Sequence, residues 1–198
     1  MSTGLIIALI VIGAVLVIAV AAFFALRARR PHGGQDLRRR FGPEYDRAVA
    51  RHDGDTQAAE RELAQRLERH GDLHPEPLDP ARRERFEARW AAAQELFVDA
   101  PRAAVSEADH LLAEAAEARG FPDSAHYDDQ LSALSVHHAH HVQGYRHVHR
   151  LAHAPDGQGA ERTATEEMRE AMIEARELFE DLVGAGAGSA DKKGSRGI

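Results

Sequence analysis

The chain has 198 residues, room for one domain of ordinary size with appendages, and no cysteine, which excludes disulfides, thiolate metal sites and cysteine nucleophiles together. The formal net charge is −7, and residues 1–35 contribute three arginines and no acid, so the remainder stands at −10. An acidic domain of that kind argues against nucleic acid as a partner.

Residues 5–26, LIIALIVIGAVLVIAVAAFFAL, are 22 consecutive uncharged and almost wholly apolar residues. As a helix they reach roughly 33 Å against a hydrocarbon core of about 30 Å, so the pattern predicts a transmembrane helix. A cleaved signal peptide fits less well, because the preceding MSTG carries no basic side chain and the apolar run exceeds the ~7–15 residues of a signal. The arginines follow the span instead: Arg27, Arg29 and Arg30, then Arg38, Arg39 and Arg40. The positive-inside rule then expects a single-pass protein of the cell membrane, with residues 1–4 outside and the C-terminal domain cytoplasmic. The lipid bilayer is the first expected partner, and those six arginines are the candidate membrane-surface residues.

Residues 27–36 have the composition of a short basic linker. In the next stretch Leu37, Phe41, Tyr45 and Val49 recur every four residues, but Gly42-Pro43 interrupts the stripe. One short helix should end before Gly42 and another begin with Pro43 in its first turn. Asp55 should cap a helix with Ala59, Leu63 and Leu67 on its buried edge, Glu62 and Arg66 paired on the exposed side, and Gly71 as its stop. DLHPEPLDP forbids regular structure, and Asp79-Pro80 opens a helix carrying Phe86, Trp90, Ala93 and Phe97 on one face. Asp99 should cap the next, which buries Val105, Ala108, Leu111, Leu112 and Ala115. A shorter helix after Asp123 is marked by Tyr127, Leu131 and Leu134, and the last, from a capping box at Thr163–Glu166, shows Met168, Met172, Ala175, Phe179 and Leu182. Residues 184–198 read as a disordered tail. No segment alternates like a strand, so the expected class is all-α: a transmembrane helix followed, over residues 37–183, by an antiparallel bundle of about six or seven helices.

Seven of the thirteen histidines fall in SVHHAHHVQGYRHVHRLAH, Ser135 to His153. Taken as one helix over 136–153, this stretch turns His137 and His141 toward the core with Tyr145 and Val148, sends Arg146 and Arg150 to the opposite face, and splits the other histidines between two flanks. Two i, i+4 pairs remain as candidate metal ligands, His137 with His141 and His149 with His153, each needing a carboxylate or imidazole from another helix. No HEXXH motif occurs, so no resident cofactor is expected beyond opportunistic zinc or nickel, and the histidines are expected to be satisfied by carboxylates or solvated. Ser135, Asp109, Glu44 and Asp46 are the residues to which an enzyme reading would turn, but no motif sets a nucleophile beside a base.

The segments LRRRFGPEYDRAV, RELAQRLERH, RFEARWAAAQELFVDAPRAAVSEADHLL, ARGFP, LSVHH, YRHVH and TEEMREAM, in that order, make the chain similar to a family of uncharacterised actinobacterial single-span membrane proteins with a helical domain. The resemblance covers nearly all of residues 37–183 and implies an anchor and an all-helical domain, with no activity attached. In that family's pattern an acidic residue stands where this chain has His137 and alanine where it has His147. The leading expectation is a membrane-anchored interaction or scaffold module with a protein partner; the alternative is a histidine-rich, metal- or pH-responsive sensor.

Overall fold

The computed structural model describes residues 34–155 and 161–184. The expected span at 5–26, with Arg27, Arg29 and Arg30, and residues 185–198 of the expected tail lie outside the described residues. No helix among the described residues is long and apolar enough to cross a membrane.

The described residues form eight α-helices and no strand: α1 Gly34–Phe41, α2 Pro43–Arg51, α3 Thr56–His70, α4 Pro80–Leu96, α5 Pro101–Ala118, α6 Tyr127–His137, α7 Val142–Ala152 and α8 Glu161–Gly184. A single 3-10 turn, Ser124–His126, leads into α6. Several boundaries follow from side-chain chemistry. Asp55 accepts from the amides of Gln57 and Ala58 at 2.9 and 3.0 Å, and Asp79 from that of Arg82 at 2.9 Å, each relieving helix-start donors that have no intrahelical partner. Gly71 closes α3 by donating to the Leu67 carbonyl. Gly42 separates α1 from α2 with φ +47°, where an L side chain is strained, and a Cβ there would also lie 2.6 Å from Cε1 of His140.

Four expectations need correction. Helix α5 is led by Ala100 with Pro101 in its first turn, while Asp99 makes no cap and instead donates its amide to Leu96 as α4 turns over. Helix α8 begins at Glu161, ahead of the Thr163 capping box. Glu62 and Arg66 do pair, but Arg66 is mostly buried rather than on a solvent face. The histidine stretch is two helices, since α6 ends at His137 and α7 starts at Val142.

Two hydrophobic clusters result. The larger joins α4, α5, α6, α7 and α8, with Trp90 stacked on Phe179 at 4.5 Å between ring centroids. Helix α5 supplies its alanine- and leucine-rich face, with Val105, Ala108, Leu111 and Leu112 fully buried. On α7, Gly144 lies against the backbone of Glu174 and Ala175 in α8, so closely that a Cβ would collide with it. The smaller cluster joins Leu37, Phe41, Tyr45, Ala48, Ala59 and Leu63 from α1–α3 with Val136 from α6.

Candidate functional site

The break at residues 138–141 decides where the histidines go. With α6 and α7 on separate axes, His137 and His141 no longer share a helix face. His137 donates from Nε2 to the His70 carbonyl at 2.8 Å and meets the edge of Phe121. His141, expected in the core, stands at the head of α7 with Nδ1 3.1 Å from Glu177 and Nε2 3.7 Å from Asp181, both on α8. Those two candidate ligands are not brought together.

Most of the remaining histidines also face carboxylates. His138 lies 3.4 Å from Asp181, and burial holds its imidazole below the ordinary histidine range even though Asp181 pulls the other way. His147 has Nδ1 3.0 Å from Glu174. His140 is exposed and covers Gly42. The expectation of carboxylate-satisfied rings therefore describes His138, His141, His147 and His149.

His149 and His153 do converge, on Asp109 of α5. Nδ1 of His149 is 3.1 Å from both Asp109 oxygens, and Nδ1 of His153 is 3.7 Å from Oδ2 and 2.9 Å from the His149 carbonyl. Donor atoms of the three residues all lie within 4.8 Å of one another. Tyr127 stacks on the His149 ring at 3.6 Å and 10°, fixing its plane, and its own hydroxyl is pushed up to about 12 by burial. Asp109 is buried, and that burial raises its carboxyl above the usual range against the opposing pull of His149 and His153. Beneath it, the buried Tyr145 donates to Gln130 at 2.8 Å, and Gln130 donates to the Ala113 and Pro122 carbonyls.

Asp109 carries a legible signal: at i+4 from Val105 it sits on the apolar face of α5, where an acid needs a partner. A second buried acid, Glu44, is held by a bidentate Arg146 at 2.6 Å on each oxygen, with Arg47 at 3.6 Å and Arg66 at 3.8 Å. Arg146, expected on the solvent face, is thus an anchor between α7 and α2. Ser135 accepts from Arg66 and donates to the Ser132 carbonyl, and Asp46 pairs with Arg38 in the open, so both have structural partners. Arg38, Arg39 and Arg40 are exposed on the last turn of α1.

Between α4 and α5 runs a groove of about 600 Å³ floored by Ala92, Ala93, Leu96 and Ala103 and rimmed by Arg89, Ser106, Glu107 and His110. Leu96 is 40% exposed, and Val98, in the turn beyond α4, is 83% exposed. Arg89 is neutralised across the groove by Glu107 and Glu114 at 2.8 and 2.6 Å. No known protein family, curated protein or solved structure matches the chain.

Proposed function

We propose that this chain is a membrane-tethered helical module that acts by binding a protein partner at the cytoplasmic face, in a family of actinobacterial proteins of the same plan. The observation that carries the reading is the α4–α5 groove with Leu96 left half in water on its floor, and Val98 exposed in the turn that follows α4. Large apolar side chains grouped beside a shallow apolar channel are the usual receptor for one face of an amphipathic helix. The occupant we assign is such a helix with basic flanks, because residues 36–198 carry −10 and Arg89 is already spent on Glu107 and Glu114. The anchor and its arginines support the tethered half of the reading.

A photocrosslinking residue placed at Val98 of the full chain in its own membrane tests this. A discrete adduct is expected, lost when Leu96→Asp is added. Adducts that survive Leu96→Asp unchanged would refute the groove as the docking surface. One observation favours a second reading, in which the module responds to a metal ion: the meeting of Asp109, His149 and His153.

A further inference from the structure

A tetrahedral ion of the zinc class holds imidazole nitrogen and carboxylate oxygen at about 2.0–2.2 Å, which puts neighbouring donors roughly 3.3 Å apart. The Asp109–His149 and Asp109–His153 separations of 3.1 and 3.7 Å bracket that edge. His149 lies in the last turn of α7 and His153 caps its C-terminus four residues on, so their rings lie side by side, 4.2 Å between centroids, near a carboxylate contributed by α5. Three features point to an ion rather than to a simple ion pair. One buried carboxylate is shared by two imidazoles; the His149 ring is clamped by Tyr127; and His153, the most exposed of the three, closes the third edge by a side-chain rotation that releases its Nδ1 from the His149 carbonyl.

We propose that Asp109, His149 and His153 bind one divalent transition-metal ion of the zinc class, with the remaining coordination position open to solvent on the His153 side. The inference deepens the metal-responsive reading and is independent of the docking groove. Two imidazoles select zinc, cobalt or nickel over magnesium and calcium, which take oxygen donors. Coordination through Nδ1 of His149 requires the neutral ring in its Nε2–H tautomer, since in the metal-free pair Nδ1–H donates to Asp109. The bound ion ties the end of α7 to the middle of α5.

The test is zinc calorimetry and cobalt absorption on the full chain in nanodiscs, comparing wild type with His153→Ala, with Asp109→Asn, and with a His140→Ala/His141→Ala control. His153 is exposed, so its variant keeps the fold, which circular dichroism verifies. One ion per chain, the visible absorption of four-coordinate cobalt, an affinity reduced at least about tenfold in both site variants, and no change in the control are expected. Equal affinity in His153→Ala, loss confined to the control, or no binding by wild type would each overturn the proposal. The Val98 adduct, followed in His153→Ala, is expected to persist, so failure of the metal site and failure of the groove are read separately.

Discussion

Buried and exposed ion pairs in this molecule should behave differently under substitution. Glu44 has almost no solvent contact and is surrounded by Arg146, Arg66 and Arg47. Glu44→Gln leaves the half-buried Arg146 without its counter-charge, while Arg66 keeps Glu62, and should cost about 3–5 kcal/mol in urea unfolding. Arg38→Gln, which removes the solvent-exposed pair with Asp46, should cost about 0.5 kcal/mol or less. His70 and His138 contribute to acid sensitivity, both held below the ordinary histidine value by burial. A depressed folded-state pKa gives stability that is complete above about pH 6.5, the unfolded value, and is lost as pH falls through the folded one. The urea midpoint should therefore drop between pH 7 and pH 5.5, and His138→Gln should shrink that drop; a midpoint flat across this range would contradict it. None of the pairings of Glu44, Arg38 or His138 was legible in the sequence, where only the i, i+4 spacings of Glu62 with Arg66 and of His149 with His153 could be read. Glu44 and Arg146 are 102 positions apart, and no local pattern reports such a distance.

Among the helices, legibility followed side-chain chemistry. Asp55, Gly71, Asp79-Pro80 and Gly42-Pro43 carry their boundaries in the residues themselves, and each boundary was readable. The break between α6 and α7 carries no glycine or proline at residues 138–141, and helical periodicity runs straight through it. What ends α6 there is tertiary: Val136 packs with α1–α3, Val142 and Tyr145 belong to the larger cluster, and Ala139 in the break is itself buried. The spacing of α7 and α8 is fixed by Gly144, whose missing side chain lets the backbones touch. Gly144→Ala gains about 1 kcal/mol of helix propensity, but its methyl meets α8 backbone, which cannot rotate away. A net loss of about 1–3 kcal/mol is expected from thermal melts, the usual cost of overpacking. A melting temperature raised by this change would show that the helices can separate freely.

At the level of the whole molecule, the two hydrophobic clusters lie within residues 37–183, so a fragment of residues 36–184 should be soluble and strongly helical without detergent. Its aggregation, relieved by detergent, would mean that the domain leans on the bilayer. All-α architecture was readable because every long segment shows one apolar stripe at helical period; which stripes share a core was not, since stripes name faces and not neighbours. The division into two clusters also has a kinetic side. Helices α1–α3 are held to the rest through Val136, the Glu44–Arg146 bridge, the bond from Arg66 to Ser135 and the contacts of His70 with His137 and Asp129, all but the first of them polar. Such a seam opens at a lower free energy than a packed core, so α1–α3 form one cooperative opening unit. Amide protons of Ala48, Ala59 and Leu63 should exchange with deuterium together and sooner than those of Leu111, Leu112 and Leu178. A pull transmitted along the chain from its N-terminal side would reach this unit first, and the five-helix core would feel it only after the seam had parted.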